Sequence, residues 1–331
     1  MHLHPLRTAR GSYAVSTLAI ALAIAACSDS STGSHTQPLV DNRLIAFVSD
    51  SGSCCGYSNL FVMHADGSQT ARVTSGEFHD DSPAWSPDGS TIAFRTDRSP
   101  AGIWLVNADG ANVRPLLTDG PEFVGPTHPT WSRNGHSIAF DAAANDSAAG
   151  FPGVIVIADA DGTHAHRVTT FTEGVAWPSW SADDSRIAFE ADTNGMGPFL
   201  FSVKTDGTML RQLTSDNAIQ PKWSPDGLQI AYTGVDFDDP ASLHRIWLMQ
   251  NDGSHPRVLT AGGSHRAAAW SPDGRQLAYE GYDRDSTGVA TTALRMFRMN
   301  ADGSDLRPIT SDGTQLQPFF RNWAPAWKPT P

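Results

Sequence analysis

Several catalytic signatures are missing from this sequence. It has no Gly-x-Ser-x-Gly nucleophile elbow, no His-Glu-x-x-His helix motif and no phosphate-binding loop. Elbow-type serine hydrolysis, thermolysin-like zinc proteolysis and P-loop nucleotide chemistry are therefore excluded. No hydrolase half is expected beyond Pro331, and the chain is not expected to be an enzyme. Basic charge is also short, with 23 Lys and Arg against 35 Asp and Glu and a net charge of −12. Such a balance argues against nucleic acid as a partner and against electrostatic docking on anionic lipid. Cysteine is rare, at 3 residues. Cys54 and Cys55 are adjacent, as a strained vicinal disulfide or as two free thiols, and no histidine stands in position to make either a nucleophile. The longest apolar run, Ala14 to Ala26, is too short for a confident membrane span.

What is present is repetition. Pro83-Ala-Trp-Ser-Pro-Asp-Gly89 is followed by Thr91-Ile-Ala-Phe94, and the pattern returns as Pro129-Thr-Trp-Ser-Arg-Asn-Gly135 with Ser137-Ile-Ala-Phe140. Further copies are Pro178-Ser-Trp180, Pro221-Lys-Trp-Ser-Pro-Asp-Gly227, Trp270-Ser-Pro-Asp-Gly274 and the truncated Pro325-Ala-Trp-Lys-Pro329. The aligned tryptophans are Trp85, Trp131, Trp180, Trp223, Trp270 and Trp327, spaced about 43 to 57 residues apart. Repeats near that length built of short strands indicate propeller blades.

Each copy reads as four strands. In Ser86-Pro-Asp-Gly89 the proline presets φ, the aspartate suits the next turn position and the glycine releases the chain. Thr91-Ile-Ala-Phe94 has the apolar character of a strand buried on both faces. Ile103-Trp-Leu-Val106 is the third strand, Asn107-Ala-Asp-Gly110 the hairpin turn, and the segment near Val113 to Thr118 the outer edge, where Pro115 costs no ladder bond. The second turn recurs as His64-Ala-Asp-Gly67, Asp159-Ala-Asp-Gly162, Lys204-Thr-Asp-Gly207, Asn251-Asp-Gly253 and Asn300-Ala-Asp-Gly303. Its aspartates are read as turn chemistry, not metal ligands.

The N-terminus is of another kind. Met1 to Gly11 carries Arg7 and Arg10 and no acid, and the apolar run after it ends in Ile24-Ala-Ala-Cys27. This is a secretory signal pattern, and its end resembles the bacterial lipobox, which implies cleavage before Cys27 and lipidation of its thiol. Ser28 after the cysteine permits outer-membrane sorting. The expected organisation is a lipoprotein signal peptide over 1–26, the lipidated Cys27 and a flexible tether over 27–42, and a propeller over 43–331. Membrane attachment is then by acyl chains alone.

The propeller starts one strand late. Leu44-Ile-Ala-Phe47 matches the second strand of the repeat, and no Trp-Ser-Pro-Asp-Gly precedes it. The missing first strand is expected from Pro325-Ala-Trp327. The predicted fold is thus all-β, a six-bladed propeller of four-stranded blades, closed by pairing the C-terminal strand into the first blade, which removes free sheet edges. These motifs, with Arg211-Gln-Leu-Thr214, resemble the TolB-type, WD40-like propeller repeat of bacterial envelope proteins over about residues 43–331. The resemblance implies an exported protein of the envelope, and with the lipobox-like Cys27 and Ser28 the expected place is the outer membrane, facing the periplasm. The fold signature is specific, and the same repeat serves adaptors, peptidase propellers and sugar-acting enzymes.

Both regular turns fall on one rim, so the variable loops of the other rim and the channel mouth are the expected binding region. His79, Asp80, Asp81, His128, Gln220 and His265 all lie within six residues before an aligned tryptophan, and Trp177, Phe320 and Trp323 add aromatic surface. Asp80 and Asp81 are a candidate Ca²⁺ pair in the channel. The histidines stand six, three and five residues before their tryptophans, so a converging metal cage is not implied. Asp236-Phe-Asp-Asp239 and Asp283 to Gly288 read as acidic loops, since Leu294 stands where a calcium loop needs a bidentate glutamate. The expected function is a non-catalytic, monomeric envelope propeller that binds a protein or peptide. The alternative is a metal-dependent, lyase-like carbohydrate enzyme with its site at the channel mouth.

Overall fold

The computed structural model describes residues 43–50, 56–146, 150, 152–169, 171, 173–193, 195, 197–235, 244–282, 294–310 and 325–329. Cys27, the signal and tether segments, Cys54, Cys55, Phe320, Trp323 and the acidic loops at 236–239 and 283–288 lie outside these residues. The described strands form six antiparallel four-stranded sheets. Blades two to six take their strands in sequence order from the inside out. Blade one is ordered Ala326–Trp327, Leu44–Ser49, Asn59–His64, Ala71–Arg72, so the chain's last strand is its innermost.

The register shows that this closure continues the repeat. Trp327 pairs with Ile45 as Trp85 pairs with Ile92, Trp131 with Ile138, Trp180 with Ile187, Trp223 with Ile230 and Trp270 with Leu277. Each second strand is covered on both faces by neighbouring sheets. Ile45, Ile92, Ile138, Ile187, Ile230 and Leu277 are fully buried, and so is the alanine after each. Small alanine lets the next blade approach, and the aromatic one step further fills the wedge between blades. Each buried Ile or Phe contributes roughly 1.5–3 kcal/mol.

The turn residues act as their chemistry predicts. Ser86 Oγ donates to Asp88 Oδ1 at 2.6 Å and accepts the Thr91 N–H at 3.0 Å, while Asp88 takes the Ser90 N–H at 3.0 Å. Ser181, Ser224 and Ser271 repeat this with Asp183, Asp226 and Asp273. In the second turn Asp66, Asp109, Asp161, Asp206, Asp252 and Asp302 each accept the N–H two residues on. These six aspartates are Asx-turn acceptors. The threonine that ends Arg-x-Leu-Thr and its equivalents are just as regular. Thr74, Thr169, Thr214, Thr260 and Thr310 each accept an N–H from their blade's third strand.

The aligned tryptophans form a belt between blades. Trp85 Nε1 donates to the Ala326 carbonyl, Trp180 to Thr130, Trp270 to Lys222 and Trp327 to Ala269, at 3.0–3.1 Å. Each acceptor is the residue just before the preceding blade's tryptophan. Trp327 thereby ties blade one to blade six, and Trp85 ties blade two to blade one.

Candidate central binding site

Five inner strands break register at one place, a bulge two to four residues before the aligned tryptophan. The residue three before the tryptophan then has positive φ: Ser82 at 53°, His128 at 47°, Trp177 at 56°, Gln220 at 56° and Ala267 at 56°. None is glycine, and for a residue as bulky as Trp177 this conformation carries a real steric cost. Its effect is to set these five side chains at equivalent positions around the molecular axis.

A bulge frees a backbone N–H, and the preceding blade supplies its acceptor. Asp141 Oδ1 takes the Trp177 N–H at 3.1 Å and Glu190 Oε2 takes the Gln220 N–H at 2.7 Å. Thr233 Oγ1 takes the Ala267 N–H at 3.0 Å while itself donating to Gln220 Oε1 at 3.1 Å. Arg95, Asp141, Glu190, Thr233 and Glu280 occupy the same second-strand position, three after the buried Ile or Leu. Asp141 and Glu190 belong to no motif, and variation at that position within an otherwise constant Ile-Ala-Phe frame is the sequence signal that marks them.

Of the expected site residues, His128, Trp177 and Gln220 share the bulge ring. His128 Nδ1–H donates to Asp141 Oδ1 at 2.8 Å, and its ring stacks on Trp177 with centroids 3.8 Å apart. Burial opposes charge on this imidazole, but the carboxylates of Asp141, Asp81 and Glu190 together outweigh it and raise the pKa. Asp81 reaches Arg95 Nη1 at 3.1 Å and accepts from Ser82 Oγ at 3.0 Å, and burial pushes its carboxyl upward.

The others go elsewhere. Asp80 is fully buried and faces away from the axis; Arg98 grips both its oxygens and Thr96 Oγ1 adds a bond of 2.7 Å. Adjacent strand residues point to opposite faces, so Asp80 and Asp81 do not form one pole for a cation. His265 stands five before its tryptophan, in register with Asp80, and packs edge-on against Tyr279 and Phe297 inside blade six. His79 lies beside Tyr57, its N–H bonded to Asp97. The histidines are thus at separate places, and no group of three or more His, Cys, Asp or Glu is arranged to hold a metal among the described residues.

Between the bulge ring and the rim of Ser-Pro-Asp-Gly turns, the inner strands enclose a cavity of about 260 Å³. It opens toward the regular-turn rim, whereas the sequence points to the variable-loop rim as the binding face. Its wall includes the residues just before the six tryptophans, Ala84, Thr130, Ser179, Lys222, Ala269 and Ala326. Five are small, and Lys222 stands alone among them. Its Nζ is 5.9 Å from the Trp177 ring centroid, within cation–π reach. Burial lowers this ammonium to about 8, against the pull of Asp141 and Glu190. Burial also raises Glu190 to about 7.

The mouth carries two departures from the repeat that compensate each other. Arg133 replaces the turn proline of blade three and has an N–H to satisfy, and Asp184 replaces the turn glycine of blade four at φ 57°. Asp184 accepts the Arg133 and Asn134 N–H groups at 2.6 and 3.0 Å. The Arg133 side chain then crosses to the Pro225 carbonyl of blade five at 3.1 Å.

Six closed blades around a lined axial cavity define a six-bladed β-propeller. A model of the TolB beta propeller domain matches residues 125–329, more than half the chain, and the chain belongs to that family. It is 28% identical over 198 residues, 58% of its own length, to the uncharacterized peptidase YuxL of Bacillus subtilis, of which the match covers 28%. The matched region thus spans well under half of this relative. TolB from Acinetobacter baumannii superposes with a TM-score of 0.68 at 20% identity, over 87% of this chain and 67% of that one. An oligogalacturonate lyase from Vibrio parahaemolyticus superposes at 0.57 with 14% identity, over 82% of this chain and 78% of that one. At these identities the likenesses to solved structures speak to the fold alone.

Proposed function

We propose that this protein is a non-catalytic binding propeller that takes a segment of a protein or peptide into its axial cavity. The observation that carries the reading is the cavity itself: tryptophan-belted, rigidly closed, and lined by polar and aromatic groups on five different blades. A cavity of this size suits one or two side chains projecting from an extended segment. The candidate histidines stand at separate places, His128 paired with Asp141 and His265 packed among aromatic rings, which favours binding over chemistry. The setting we propose is the periplasmic face of the outer membrane, with Cys27 as lipid anchor, a tether over 27–42, a monomeric propeller and an envelope protein as partner. The lipobox-like Ile24-Ala-Ala-Cys27 and membership of the TolB propeller family support that setting.

The test is site-specific photo-crosslinking in intact cells. A photoreactive residue at Ser179, in the cavity wall, should capture a polypeptide, and the adduct should vanish when His128→Ala and Trp177→Ala are combined. The same residue at Met209, exposed on the outer part of blade four, should give little. Equal adducts from both positions, unaffected by the cavity variants, would refute the reading.

A further inference from the structure

The lining of the cavity has a charge opposite to that of the molecule. Among the described residues, Lys222, Arg133 and His128 contribute to it and no aspartate or glutamate does, in a chain whose net charge is −12. The nearest carboxylates lie outside the lining and are engaged: Asp81 by Arg95, Asp141 by His128 and the Trp177 N–H, Glu190 by the Gln220 N–H.

The three basic groups differ in what they have left to give. Arg133 already donates to Pro225. His128 commits Nδ1 to Asp141 and turns Nε2 away from that bond. The Lys222 ammonium makes no hydrogen bond to any described residue, and it stands in a cavity wall whose equivalent positions in the other blades carry small side chains. Lys222 is part-buried, and an ammonium in such a wall gains from an acceptor that a ligand can bring. Asp141 and Glu190 act on this ammonium only at a distance, and both are bonded elsewhere, Asp141 to His128 and the Trp177 N–H and Glu190 to the Gln220 N–H.

We propose that the cavity is a carboxylate receptor. A carboxylate of the bound segment, on an acidic side chain or at a chain terminus, sits against Lys222 Nζ and beside the His128–Trp177 stack. One ammonium, one imidazole edge and a flat aromatic face suit a planar carboxylate. Phosphate recognition favours a bidentate guanidinium fork, and the one guanidinium here has already given Nη1 to the Pro225 carbonyl. This inference rests on the reading of the cavity as a peptide site and names what that site recognises.

The experiment titrates three capped probes into the full chain and follows tryptophan fluorescence: acetyl-Gly-Glu-Gly-amide, acetyl-Gly-Gln-Gly-amide and acetyl-Gly-Gly-Gly with a free terminus. A carboxylate probe should bind at least about tenfold more tightly than the glutamine probe, equivalent to about 1.4 kcal/mol. Which of the two carboxylate probes wins assigns the source. Lys222→Met should erase the preference and Lys222→Arg should keep most of it, with thermal melts showing both variants folded. Equal binding of the glutamate and glutamine probes, persistence of the preference in Lys222→Met, tighter binding of inorganic phosphate, or no binding of any probe would each overturn the proposal. Crosslinking from Ser179 tests the peptide site without reference to charge. An adduct retained there while the probes fail sinks the carboxylate assignment alone.

Discussion

Asp80 and Asp81 are consecutive residues of one inner strand, and their side chains end in opposite surroundings. Asp80 turns into the wedge between blades, where Arg98 and Thr96 satisfy both of its oxygens and Phe78 lies 4.6 Å from the Arg98 guanidinium carbon. Asp81 turns to the axial side, into a set of charges that reaches from Arg95 through His128 and Asp141 to Glu190 and Lys222. The first group of charges is closed: the carboxylate has all its donors, and the pair holds a loop and a blade together. The second is open, with an ammonium left over. Similar residue types thus make a rivet in one place and a receptor in the other. What separates them is whether the polar groups are all used.

The closed cluster should be the more fragile. Asp80→Ala leaves the Arg98 cation buried beside aromatic rings without its partner, and should cost about 3–5 kcal/mol in chemical denaturation. Replacing both members, Asp80→Leu with Arg98→Met, should recover most of that loss, because an apolar pair of similar volume carries no desolvation penalty. A loss below about 1 kcal/mol for Asp80→Ala would instead place the pair among solvent-screened surface bridges.

The open cluster should show itself through pH. Burial holds Glu190 at about 7 in the folded protein against an ordinary value of 4.5. The folded state therefore binds this proton more tightly than the unfolded chain does. Its contribution to stability is present in full below about 4.5 and is lost as pH rises through about 7, up to about 3 kcal/mol by linkage. His128, Asp141 and Lys222 face the same carboxyl, and the raised pKa of His128 acts in the same direction at higher pH. Glu190→Gln, which keeps an acceptor for the Gln220 N–H, should flatten the stability profile between those limits. An unchanged slope would mean that Glu190 is solvated, and the contrast with Asp80 would lose its electrostatic half.

The frame of this molecule was open to reading from the sequence because it repeats. Trp-Ser-Pro-Asp-Gly, Ile-Ala-Phe and the second Asp-Gly turn recur with few exceptions, and the late start at Leu44 required a closing strand at Trp327. The site was harder to see because it lives where the copies differ. Ser82, His128, Trp177, Gln220 and Ala267 share a backbone conformation without sharing a residue type, and no glycine marks their positive φ. Whether a histidine faces the axis or the core depends on the bulge. His128, three residues before its tryptophan, is in the ring, and His265, five before, is packed between Tyr279 and Phe297. Lys222 sat in plain view in Pro221-Lys-Trp223, and only the ring of small residues at that position in the other blades gives it meaning.

The smallest effect tests the belt that keeps both clusters in place. Trp180 donates to the Thr130 carbonyl, whereas Trp223 has a buried Nε1 with no partner among the described residues. Tryptophan to phenylalanine removes the indole N–H at both sites, so the difference between the two variants reports on the hydrogen bond once the partial exposure of Trp223 is allowed for. Trp180→Phe should be the more destabilising by about 1 kcal/mol. Trp223→Phe should give back part of its packing loss by discarding an unsatisfied donor. Equal losses would mean that the belt works by packing alone, and that its inter-blade bonds follow from the closed ring without helping to hold it.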